Sequence, residues 1–175
     1  MKLNISSIFL LLYGGIFFFA ANTIAQESAH FTMQGSIVDT ACAIDIDSYN
    51  QSIDLGILPI SLFRNQGQGQ PQYFYIRLIG CQLTSYEGEY WKTFEISFDG
   101  PTNDDFFVLS GSAKGIALSL FDMNGNAIFP GKNLKKQKIQ VGNNTLNYQL
   151  RLVADNTPLR VGNYQTAIRF KLNYY

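Results

Sequence analysis

The final fourteen residues constrain this chain most: Gly162-Asn163-Tyr164-Gln165-Thr166-Ala167-Ile168-Arg169-Phe170-Lys171-Leu172-Asn173-Tyr174-Tyr175. From Tyr164 onward, Tyr164, Thr166, Ile168, Phe170, Leu172 and Tyr174 alternate without a slip with Gln165, Ala167, Arg169, Lys171 and Asn173. Successive strand side chains point to opposite faces of a sheet, so the pattern predicts one strand with an apolar and a polar face. It runs to the last residues of the chain, where backbones ordinarily fray. A strand this regular at a terminus needs a neighbour on each side, and the preceding residues must show whether both are supplied.

Those residues also read as strands. A first signal runs from His30-Phe31 through Met33, Gly35 and Ile37-Val38 to Cys42, and a second, short one covers residues 52–56 with Ile53 and Leu55 apolar. After Pro59, the run Asn65-Gln66-Gly67-Gln68-Gly69-Gln70-Pro71 predicts a polar, glycine-rich loop. Further alternating runs follow at 73–81, 91–99, 116–120 and 146–152, with a brief one at 106–109. Asn124-Gly125 is a strong hairpin signal between them, and the basic run 132–138 reads as a solvated loop. No stretch of ten residues after the leader has a helical period. About seven short strands punctuated by turns indicate a single all-β domain, an immunoglobulin-like sandwich.

The N-terminus reads as an export signal: Lys2, an apolar core over residues 8–21, and a small-x-small cleavage site at Thr23-Ile24-Ala25. Residues 1–25 are therefore assigned to a signal peptide, 26–30 to a short extension and 31–175 to the folded domain. Export to an oxidising compartment makes Cys42 and Cys81, the only two cysteines, a structural disulfide. Formal net charge is zero, which gives no electrostatic case for nucleic acid or an anionic membrane surface.

Catalytic and metal-binding assemblies lack their parts. His30 is the one histidine, next to the expected mature N-terminus, where a general base would be unsupported. Asp104-Asp105 are adjacent and point apart in a loop. The run Asp122-Met123-Asn124-Gly125-Asn126 begins like a calcium loop, but the sixth place is Ala127 and the twelfth Asn133, so a turn is expected there. Asn50-Gln51-Ser52 and Asn143-Asn144-Thr145 match the glycosylation sequon by position only. Tyr86, Tyr90 and Trp91 are the residues that could stack on a sugar. No enzyme and no cofactor are expected.

Four landmarks together resemble the chaperone–usher pilins of Gram-negative bacteria: the run Gly35-Ser36-Ile37-Val38-Asp39-Thr40-Ala41-Cys42, its partner Cys81, Gly162 fourteen places from the end, and Tyr174 as the penultimate residue. The resemblance spans the whole chain after the leader. It implies an immunoglobulin-like sandwich lacking its seventh strand, with the last strand bordering an open groove. In such proteins a periplasmic chaperone lends a strand to that groove. At an outer-membrane usher, the N-terminal extension of a neighbouring pilin replaces it. The resemblance assigns Gly162, Tyr164, Ile168, Phe170, Leu172, Tyr174 and Tyr175 to the chaperone-binding strand, with the Tyr175 carboxylate held by basic chaperone residues. It assigns Gln26, Glu27, Ser28, Ala29 and Phe31 to the donor extension, in which Glu27 is a poor pocket filler. The runs 109–116, 146–152 and 161–164 look most like the terminating, anchoring minor subunit of P-type pili. The implied function is a structural subunit of a fimbrium on the outer bacterial surface, at its base. Shaft or adaptor subunit is the alternative, and a sugar-binding adhesin a more distant one.

Overall fold

The computed structural model describes residues 31–103 and 105–175. The chain divides into a unit ending at Ile37 and a second from Val38 to Tyr175. In the first, residues 31–37 form neither helix nor strand, and Phe31, Met33 and Ile37 are exposed. The expected signal peptide and Gln26, Glu27, Ser28 and Ala29 of the extension lie outside the described residues.

The second unit is built from strands β1 (Ala43–Ile44), β2 (Gln72–Cys81), β3 (Thr93–Asp99), β4 (Thr102–Asn103), β5 (Phe106–Phe107), β6 (Ser110–Gly111), β7 (Ile116–Asp122), β8 (Ala127–Ile128), β9 (Gln137–Lys138), β10 (Gly142–Ala154), β11 (Tyr164–Gln165) and β12 (Arg169–Tyr174). Two short helices, α1 (Ile46–Tyr49) and α2 (Ile60–Gln66), interrupt them. The larger sheet runs β1-β2-β10-β7-β5-β4, with β8 also on β7; a second runs β12-β3-β9, and β11 pairs with β6. Every pairing between these strands is antiparallel.

Alternation decides which residues meet between the sheets. Ile76 and Leu78 of β2, Leu118 and Leu120 of β7, and Leu150 and Leu152 of β10 are buried against Phe94, Ile96 and Phe98 of β3. Tyr148 joins them through its ring, 5.0 Å from Phe98 and 5.6 Å from Phe74. Each such side chain contributes about 1.5–3 kcal/mol on full burial, so this cluster is the principal cohesive element. The Cys42–Cys81 disulfide is present, joining the residue before β1 to the last residue of β2, with both cysteines buried. After β7, a three-residue connection returns the chain at Asn126, whose carbonyl accepts from Asp122 N at 3.0 Å. Gly125, at φ 84°, takes the left-handed position that such a hairpin requires.

Three expectations for the chain before β2 need correction. The first strand was expected to begin at His30-Phe31, yet residues 31–42 carry no ladder and pairing starts only at Ala43, opposite Ile79. Residues 52–56 likewise form no strand. A strand exists only where a neighbour takes up its backbone groups, and alternation does not guarantee one. The loop expected after Pro59 is in part α2: Phe63 is buried there, and Gly67, at φ 71°, caps the helix by donating its N–H to Phe63 O.

Candidate functional site

The C-terminal segment is two strands rather than the single strand expected. Its partners differ: β12 pairs with β3, from Arg169 opposite Asp99 to Tyr174 opposite Phe94, whereas β11 pairs Tyr164 with Gly111 and Gln165 with Ser110. Between those partners the chain makes the β4–β5 hairpin, so the C-terminal backbone loses its ladder over residues 166–168. The break is tightly packed. A Cβ on Gly100 would lie 2.9 Å from Ala167 O.

Among the described residues, β12 is an edge: β3 lies on one side and no strand on the other. The alternation survives as a burial pattern up to Leu172, with Tyr164, Thr166, Ile168, Phe170 and Leu172 half-buried and Gln165, Ala167, Arg169 and Lys171 exposed, and it ends there because Asn173 is half-buried like Tyr174. On β3, by contrast, Phe94, Ile96 and Phe98 are 3%, 0% and 2% exposed. The neighbouring strand is thus buried while the C-terminal one, with equally apolar residues packed against the same core, remains half open to solvent. An unpaired apolar edge of this kind is a ready template for strand addition.

Two tyrosines tie this edge to the early part of the unit. The Tyr164 hydroxyl donates to Gly56 O at 3.1 Å, and the Tyr174 hydroxyl reaches Cys42 O at 3.5 Å, the limit for such a bond. Burial raises the pKa of both hydroxyls, and the charge of Asp54 adds to the effect at Tyr164. The Tyr174 ring also packs against Trp91 and Phe94, each 6.4 Å away. Trp91 is therefore engaged in packing, while its sequence neighbours Tyr86 and Tyr90 are exposed.

At its very end the chain is held by its own β3 side. Tyr175 N donates to Thr93 O, and Tyr175 O accepts from Lys92 N at 2.7 Å and Thr93 N at 3.0 Å. The Tyr175 hydroxyl bonds Glu95, which raises its pKa, and the Lys136 ammonium sits 3.9 Å from the ring centre. Gly162 has a packing role. A Cβ there would run into Ser112 Oγ and come within 2.5 Å of Ala113 N. The expected site residues thus divide. Phe170, Leu172 and Tyr174 lie on the β12 edge and Tyr175 just after it, Ile168 lies in the break before it, Tyr164 lies on β11 with Gly162 just ahead, Phe31 is exposed in the other unit, and Cys42 and Cys81 are bonded. Sequence reasoning missed Gly56, Ser112, Ala113 and Glu95. Each acts through a contact distant in sequence, and no local pattern marks it.

A family model described as fimbrial protein matches residues 31–174. The PRS fimbrial minor pilin protein of Escherichia coli is 32% identical over 147 residues, 82% of this chain and 75% of its own length. The fimbria A protein of Serratia marcescens is 31% identical over 179 residues, 99% of each chain. Among solved structures, the P pilus rod subunit PapA superposes with a TM-score of 0.70 at 23% identity, covering 78% of this chain and all of the other. A chain from a chaperone-usher pilus, whose structure addresses rod uncoiling, gives a TM-score of 0.69 at 27% identity, covering 89% and all of the respective chains.

Proposed function

The chain belongs to the fimbrial protein family, and from that premise we propose that its C-terminal edge is completed by a strand from another protein. A periplasmic chaperone supplies that strand first, and the N-terminal extension of a neighbouring pilin, at an outer-membrane usher, is the candidate to follow. The observation that carries this reading is β12: paired on one side only, with Ile168, Phe170, Leu172 and Tyr174 half-buried along the open side. Four or five donor side chains sealed against them, at about 1.5–3 kcal/mol each, are worth as much as a domain's whole net stability. The role is structural rather than catalytic, as the names of the matched relatives indicate.

Within the fimbrium, on the outer surface of a Gram-negative cell, the chain is read as a minor subunit that terminates or anchors the pilus at its base. The similarity to the PRS minor pilin supports the minor-subunit part of that reading. A shaft or adaptor role is the second reading, favoured by the similarity to the chaperone-usher pilus chain whose structure addresses rod uncoiling. The exposed Phe31 and the preceding Gln26, Glu27, Ser28 and Ala29 form the extension by which the chain would itself donate a strand.

The discriminating experiment mixes the purified chaperone complex with synthetic N-terminal peptides from sister pilins. A terminating subunit keeps its chaperone. Ready displacement by the peptides would leave only the chain-extending role.

A further inference from the structure

We propose that the Tyr164 hydroxyl is a latch that closes one end of the open edge, so that a donor strand pairs along its full length only when the bond to Gly56 is broken. This rests on the strand-addition reading above and concerns how far along the edge an added strand can run.

Two tyrosines reach from the C-terminal segment to the early part of the unit, but their contacts are unequal. Tyr164 makes a hydrogen bond of ordinary length, 3.1 Å, to Gly56 O, whereas Tyr174 sits at 3.5 Å from Cys42 O. Burial and the nearby Asp54 charge both favour the neutral Tyr164 hydroxyl, so it stays a donor at neutral pH.

The backbone on the Tyr164 side has no slack. Asn163 N donates to Ser112 Oγ at 3.1 Å, and Ala113 N donates to Asn163 O, also at 3.1 Å. Ser110 Oγ donates to Gln165 O at 3.0 Å, and Thr166 Oγ1 to Val108 O at 2.9 Å. Gly111 and Gly162 leave no room for even a Cβ between the two backbones.

The opposite partner differs. Gly56 belongs to residues 51–59, which carry no ladder, and Ile53 and Ile57 in that stretch are exposed. A strand arriving beside β12 therefore meets a fixed backbone on one side and an unpaired one on the other, with the Tyr164 side chain strung between them. Releasing that single bond is the local change that opens this end. At the Tyr174 end the long contact to Cys42 offers little to release.

The test compares wild type, Tyr164→Phe and, as a control on β2, Tyr73→Phe, whose side chain is exposed, each purified with its chaperone and challenged with one probe, a synthetic peptide covering residues 26–40 of this chain. Removing the hydroxyl keeps the ring and its packing. Loss of one hydrogen bond of typical net strength then speeds displacement of the chaperone roughly two- to tenfold, while Tyr73→Phe stays within about twofold of wild type. Refolding each protein with the peptide, and separately with the purified chaperone, reads the same preference at equilibrium and covers the case in which no displacement is seen. A Tyr164→Phe protein that matches wild type in every assay overturns the latch and leaves strand addition standing. So does a Tyr73→Phe protein that gains as much. Failure of all three to associate with either the peptide or the chaperone on refolding overturns the latch together with the reading it rests on.

Discussion

Gly162 shows how one position can be conspicuous in a sequence for a reason the sequence does not contain. Its place fourteen residues from the end is readable, but its cause lies some fifty residues away, where Ser112 and Ala113 press against it. Because the obstruction includes backbone, Gly162→Ala should destabilise the strand-complemented protein by about 1–3 kcal/mol, measured as a fall in its denaturation midpoint. Tyr148 gives a second residue-scale expectation. Burial pushes its pKa from 10.0 up to about 12, against an opposing hydrogen bond from Gln137. The unfolded phenol therefore releases its proton at lower pH than the folded one. The contribution of Tyr148 is fully present below pH 10 and is lost as pH rises toward about 12. Tyr148→Phe should flatten the decline in stability across that window, as followed by urea denaturation at successive pH values; an unchanged slope would contradict the burial argument. Tyr148 was legible as an inward residue of its strand, but its enclosure depends on Phe74 and Phe98, contributed by other strands.

At the scale of elements, what could be read depended on whether an element carried its own justification. The runs that became β2, β3, β7 and β10 alternate cleanly, and each has a ladder neighbour on both sides, so pattern and structure agree. Residues 52–56 alternate too, and residues 31–42 have strand composition, yet neither stretch is paired. Their side chains show strand character, but their backbones find only single bonds among the described residues, such as Ala41 O accepting from Gln82 N at 2.8 Å, and no ladder. The C-terminal segment falls between these cases, since its periodicity was right and its continuity was not. The β4–β5 insertion in its partner splits it, and an insertion elsewhere leaves no mark on the alternating residues. If Phe170 and Leu172 are the surface that accepts a donor, replacing both with serine removes most of the apolar gain on strand addition, about 1.5–3 kcal/mol for each side chain. Recovery of the chaperone complex from periplasmic extracts should then fall severalfold. A doubly substituted protein that accumulates as a stable monomer without chaperone would contradict the open-edge mechanism. Lys171→Ser, on the exposed face of the same strand, should leave recovery unchanged.

For the molecule as a whole, the disulfide and the open edge act on stability in opposite directions. The large sheet is extensively paired, whereas the second sheet is three strands wide with β12 unprotected. The Cys42–Cys81 bond spans 39 residues of sequence and encloses the unladdered stretch 51–59. In the chain-entropy treatment such a loop is worth about 4 kcal/mol, comparable with much of a small domain's net stability. The same bond fixes Cys42, whose carbonyl faces the Tyr174 hydroxyl, so it also holds one side of the open edge in place. Replacing both cysteines with serine should therefore have two separable effects. The strand-complemented protein should lose about 4 kcal/mol, seen as an earlier urea midpoint. The uncomplemented protein, with no donor to compensate, should fail to reach a folded state at all, seen as loss of near-ultraviolet circular dichroism. Reduction of the wild-type protein should reproduce both. If the serine variant folded alone, with its tertiary signal intact, the edge would contribute far less to the energetics than its half-buried apolar residues imply.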